Sequence, residues 1–203
     1  MRQIALFLAV AAIGLATPTR AADPRNPDWP CAQAKVPEIS LAAVWAGPPL
    51  DDVGNRWESD PQIKDVVTRL ATRRTPVEEA QKIAAEFLAG SGDVKHERAK
   101  LVFAGLFDTL SRLRSEVING IERYTRRQRE FVERIRGNTL KLRALQDEAG
   151  ADQKQVEELA EQVQWDTRIF EDRRRTIGYV CEVPVLIDQR LFALGRTIQQ
   201  ALE

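Results

Sequence analysis

Residues 106–149 read "LFDTLSRLRSEVINGIERYTRRQREFVERIRGNTLKLRALQDEA". From Leu106 the series runs through Leu110, Leu113, Val117, Ile121, Tyr124, Gln128, Phe131, Ile135, Asn138, Leu142 and Leu145 to Ala149. Its steps alternate three and four, with one four-four stutter at Val117, which is the seam of a coiled-coil helix. The next residues, "GAD", supply a breaker in Gly150 and a cap in Asp152. A second, unbroken series then runs from Val156 to Ala201 through Val163, Asp166, Phe170, Arg173, Ile187 and Leu194. Two long helices joined by so short a turn predict an antiparallel hairpin over 93–149 and 152–202. Residues facing each other across it should have numbers summing to about 301.

That pairing rule gives each layer a composition. Gln128 falls opposite Arg173, Asp166 near Ile135 and Asn138 near Val163, so polar groups interrupt the seam of the outer half and set its register. Cys181 falls opposite Gly120, and Gly178 one turn earlier offers room for a close approach. Toward the base, "LVFAGLF" and "VPVLIDQRLFAL" are apolar on more than one face and need further neighbours.

Those neighbours precede the hairpin. Asp60 caps and Pro61 opens a helix with Ile63, Val66, Val67 and Leu70 on one face; Thr75 and Glu78 form the capping box of a second, which Gly90 ends as a left-handed residue. Before them, residues 22–60 are rich in proline and carry Trp29, Trp45 and Trp57. Proline forbids long regular structure there, and the indoles seek apolar grooves, so the segment reads as a strap over helices, with a short helix from Leu41 to Trp45 after the cap Ser40. The fold class is all-α: a coiled-coil-like helical hairpin packed at its base with two shorter helices (61–89) and a Pro/Trp-rich strap, in one domain over 22–203.

The opening "MRQIALFLAVAAIGLATPTRAADP" has a basic start, an apolar run from Ile4 to Leu15 and small residues before Ala22. It reads as a secretory signal peptide, residues 1–21, with an apolar run too short to span a bilayer. The compartment is then oxidising, and the two cysteines, Cys31 and Cys181, pair as a disulfide that staples the strap to the second long helix. The 203-residue chain is 43% hydrophobic and 30% charged. Loss of Arg2 and Arg20 takes its 30 basic residues to 28 against 30 acidic ones, a balance that points to no nucleic acid.

Arginine is unevenly placed along the hairpin. Arg126, Arg127 and Arg129 on the first helix meet Arg173, Arg174 and Arg175 on the second, a basic collar suited to carboxylates or phosphates of a partner. The alternative is a solvated surface of i,i+4 pairs: Glu122 with Arg126, Glu130 with Arg134 and Glu171 with Arg175. His96 has no serine or cysteine context, and no hydrolase, metalloprotease, phosphate-loop, dinucleotide or EF-hand motif occurs. No catalytic residue, cofactor site or metal site is expected, and the helical spacing of Trp165 and Tyr179 predicts packing.

The stretches "DPRNPDWPC", "LVFAGLFDTL" and "YVCEVPVLIDQRLFAL" resemble a family of exported helical proteins of Gram-negative bacteria to which no activity is attached. The resemblance implies a periplasmic location and transfers no site residue. The expected function is non-enzymatic: an adaptor or assembly factor that binds a protein partner in the cell envelope through its hairpin. Contact with a membrane surface is compatible with this, an integral span is not, and the chain is a monomer or homodimer. A holdase-type chaperone and a homodimeric structural coiled coil are the alternatives.

Overall fold

A computed structural model describes residues 25–203, so the predicted signal peptide lies outside the described residues. Among these residues there is no strand. One short helix lies within the strap, α1 (Leu41–Val44), and four follow it: α2 (Pro61–Ala71), α3 (Val77–Ala89), α4 (Lys95–Asp147) and α5 (Gln153–Gln200). At 1.5 Å per residue, the 53-residue α4 is about 80 Å long and the 48-residue α5 about 70 Å.

Local chemistry explains the helix ends. The Asp60 side chain accepts from the amides of Gln62 and Ile63, and Pro61 fills the first position of α2, where no amide is missed. Between α4 and α5, Gly150 takes φ 91°, a conformation that L side chains avoid, and Asp152 accepts from the amide of Lys154. Three expected caps differ. Ser40 makes no side-chain cap bond. The Thr75/Glu78 capping box does not form: α3 starts after Pro76 without a side-chain cap, and the Thr75 carbonyl accepts from Arg190 of α5 instead. Gly90 is not left-handed, at φ −77°; the positive-φ residue is Gly92, at 54°, in the 3-10 turn that leads into α4.

The core lies at the base of the hairpin. Ile63, Val67 and Leu70 of α2, Ala84 and Leu88 of α3, Phe103, Leu106 and Leu110 of α4, and Leu191, Leu194 and Ile198 of α5 are almost wholly withdrawn from solvent. The strap completes this layer with its tryptophans: Trp45 stacks on Phe103 with ring centroids 4.1 Å apart, and its Nε1 donates to the Pro48 carbonyl at 2.8 Å. Close approach here depends on glycines other than those expected. A Cβ on Gly195 would stand 2.5 Å from the Val44 carbonyl oxygen, and one on Gly105 would stand 2.7 Å from the Trp57 ring. Gly120 and Gly178, expected to admit the strap, are not crowded: a Cβ would meet nothing nearer than 4.0 Å at Gly120 and nothing at all at Gly178.

Beyond the base, among the described residues, the hairpin stands as two helices alone. Between residues 131 and 180 the buried side chains are Phe131, Val156 and Asp166. α5 continues unbroken through Pro184, itself buried.

Candidate functional site

The collar is where strap and hairpin meet, and the strap occupies much of it. Cys31 and Cys181 form a disulfide with Cα atoms 5.5 Å apart across 150 residues of sequence. Just before it, Trp29 is buried against Ile118 and Ile121, and its Nε1 donates to the Gln33 carbonyl at 2.7 Å. The Gln33 amide in turn donates to the carbonyl of Cys181, so the covalent link is flanked by hydrogen bonds on both partners. Lys35 pairs with Glu122 of α4.

Asp28 is the counter-ion of the collar. Arg126 Nη1 donates to its Oδ2 at 2.6 Å, Arg129 Nη2 donates to Oδ1, and Arg129 Nη1 reaches the Pro27 carbonyl at 3.2 Å. The hydrogen bond from Arg126, helped by Arg129, holds the Asp28 carboxyl below its ordinary range. Two of the six candidate partner-binding arginines therefore grip the chain's own strap. Arg174 pairs with Glu171 at 3.2 Å and Arg175 with Asp172, both three residues apart. The Arg173 guanidinium lies 5.2 Å from the centre of the Phe131 ring, which Arg134 also covers at 4.7 Å. Gln128 keeps a buried Oε1 without a partner. Arg127 is exposed and makes no ion pair among the described residues.

The three i,i+4 pairs expected of a solvated surface do not form. Glu122 turns to Lys35 and Arg126 to Asp28 of the strap, while Arg134 lies over Phe131 and Arg175 pairs with Asp172, each three residues away on its own helix. Trp165 and Tyr179, expected to pack, are 60% and 76% exposed.

Two buried arginines escape the sequence reading. Arg114 donates to the Val36 and Pro37 carbonyls of the strap at 2.8 and 3.2 Å, and its Nε stands 2.7 Å from Asp188 Oδ1 without the alignment of a hydrogen bond. Burial raises the Asp188 carboxyl above its ordinary range, an effect Arg114 offsets only in part. Arg190 donates to the carbonyls of Leu70 at 2.6 Å and Thr75 at 2.8 Å and so ties the α2–α3 connection to α5. The available signal for Arg190 was its place one residue before the seam position Leu191 in "VPVLIDQRLFAL".

His96 is exposed at the start of α4, and among the described residues no group of three or more His, Cys, Asp or Glu side chains could hold a metal ion. No helix among them is long and apolar enough to cross a membrane. No protein-family model, curated protein or solved structure matches the chain. The chain defines itself by its parts: an all-helical protein with a disulfide-fastened strap and a long coiled-coil hairpin.

Proposed function

We propose that the protein is exported to the periplasm and acts there as a non-enzymatic adaptor or assembly factor, binding an envelope protein through the outer half of its hairpin. The disulfide accords with an oxidising compartment. One observation carries the reading: Trp165 and Leu140 are each 60% exposed on a two-helix arm that has no third layer, while the base encloses its own core. Tryptophan in such a position is the residue type that most often anchors a protein interface. Within the collar, Arg127 is a guanidinium left for a partner's carboxylate, since Asp28 occupies Arg126 and Arg129.

The test is affinity purification after in-cell chemical crosslinking, comparing wild type with the Trp165→Ser, Leu140→Ser double variant. A defined co-purifying protein is expected with wild type and should be lost from a variant that still folds. Equal recovery from both contradicts the reading.

A second reading, self-association, is favoured by the exposed apolar residues on the outer face of α5. Tyr179, Val185, Leu186 and Phe192 are exposed, and Tyr179 and Phe192 lie equally far from the Val185–Leu186 centre. An antiparallel two-fold pairing about that centre would bury all four in one isologous contact. Light scattering decides: a monomeric mass at micromolar concentration removes this reading.

A further inference from the structure

In the outer half of the arm an open groove of about 610 Å³ runs between α4 and α5. Leu145 and Leu159, both half-buried, form its floor, and Lys141 and Glu158, both exposed, stand on opposite walls. Lys141 forms no ion pair among the described residues, and Glu158 meets only Lys154 of its own helix, at 3.8 Å. The two charges face each other across the groove without joining.

Each wall continues at heptad spacing. On α4, Arg127, Arg134 and Lys141 stand seven residues apart, two helical turns, and so share one face; on α5, Glu158, Trp165 and Asp172 do the same. All six are exposed. Lys141 lies level with Glu158, Arg134 with Trp165 and Arg127 with Asp172, because each pair of numbers sums to 299, within two of the hairpin register. One wall is therefore basic and the other acidic, with Trp165 midway along the acidic one. Arg134 lies over Phe131 and Asp172 pairs with Arg175, which leaves Arg127 and Lys141 as the free cations of the α4 wall. Of the carboxylates in that stretch of α4, Glu133 is taken up by Arg136, and Glu130, three residues after Arg127, tempers the wall.

We infer that this groove receives one amphipathic helix of the envelope partner. Its apolar stripe covers Leu145, Leu159 and the Trp165 ring; carboxylates line its flank beside Arg127 and Lys141, and cations line its flank beside Glu158 and Asp172. The stretch from Arg127 to Lys141 is about 21 Å long, four turns of helix. A third helix there turns the two-helix arm into a three-helix bundle. A uniformly acidic or uniformly basic helix meets like charge on one wall, so the pattern selects against both. The inference rests on the adaptor reading above and names the segment that the partner presents.

The experiment is an anisotropy titration of the purified protein into fluorescein-labelled designed helices of about 28 residues, held at nanomolar concentration. The three share one leucine stripe and differ in their flanks: glutamate on one and lysine on the other, glutamate on both, or lysine on both. The mixed peptide is expected to bind at least about tenfold more tightly than either of the others. Trp165→Ser should weaken it about tenfold. Arg127→Glu combined with Lys141→Glu makes both walls acidic and should shift the preference to the all-lysine peptide. All three positions are exposed, and the Tm of each free variant shows that the fold is kept. No binding of the mixed peptide at about 100 µM, equal affinity for the three peptides, or a preference that the double reversal leaves unchanged would each overturn the inference. A partner that co-purifies from cells while the mixed peptide fails to bind leaves the adaptor reading standing without this groove. Peptide binding as described, with no co-purifying partner, removes the adaptor reading alone.

Discussion

Asp28 and Arg126 are joined at 2.6 Å, a contact that carries the N-terminal strap onto the first long helix nearly a hundred residues away. The pair, shared with Arg129, turns two of the three α4 collar arginines into a clasp for the chain itself. Clasp, disulfide and the buried Trp29 lie within four residues of strap, so the strap acts as one fastening.

The clasp should be visible in the pH dependence of stability. Because the folded carboxyl of Asp28 is held below its ordinary range, its contribution is complete above the unfolded value and is lost as pH falls through the folded one, below about pH 4. Asp52 is lowered likewise by Lys100, and Asp188 is raised by burial, so the informative quantity is the difference between wild type and Asp28→Asn. Urea unfolding at stepped pH should show that difference near neutrality and its disappearance in acid. A difference unchanged from neutral to strongly acidic pH contradicts the assignment.

Reduction tests the covalent half of the fastening. Closing a loop of this length typically stabilises by roughly 2–4 kcal/mol, so Cys31→Ser, Cys181→Ser protein should unfold at correspondingly lower denaturant concentration, with Trp29 fluorescence shifted toward that of a solvated indole. Free thiols in the exported wild type, or an unchanged midpoint, contradict it.

The glycines separate close packing from chain flexibility. Gly195→Ala drives a methyl against the Val44 backbone and should destabilise by about 1–3 kcal/mol. Gly178→Ala and Gly137→Ala, in helix with open space around the new methyl, should stabilise by about 0.5–1 kcal/mol. Thermal unfolding of the three variants is sufficient, and equal signs would contradict the packing described.

The outer seam is weakened by design of its own residues. Asp166 is buried in α5 with Oδ2 lacking a partner, a group whose desolvation is uncompensated. Asp166→Leu should stabilise the arm by about 1–3 kcal/mol and slow amide exchange between residues 131 and 170. Faster exchange in the variant would show that Asp166 makes a stabilising interaction.

The hairpin was legible because heptad spacing is a local, repeated signal: the expected bounds 93–149 and 152–202 fall within two residues of the observed ends of α4 and α5. Export chemistry and an even cysteine count likewise sufficed for Cys31–Cys181. What spacing cannot encode is competition between partners far apart in sequence. Glu122 and Arg126 give up their i,i+4 pairing to Lys35 and Asp28, which arrive only when the strap assembles on α4. Glycine roles failed for the same reason: Gly105 and Gly195 are identified by what packs on them, Trp57 and Val44, and neither lies near them in sequence. Arg114 and Arg190 were hidden by their neighbours, since an arginine beside a heptad position reads as surface until its carbonyl partners are in place.

The most direct test of the adaptor account is in-cell photocrosslinking from Trp165, with Arg127 in the collar and Asp188 at the base as second and third probe positions. The account predicts one discrete adduct from Trp165, the same partner from Arg127, and none from Asp188, which faces Arg114 of its own chain. A smear of many adducts from Trp165, or none at all, would contradict it.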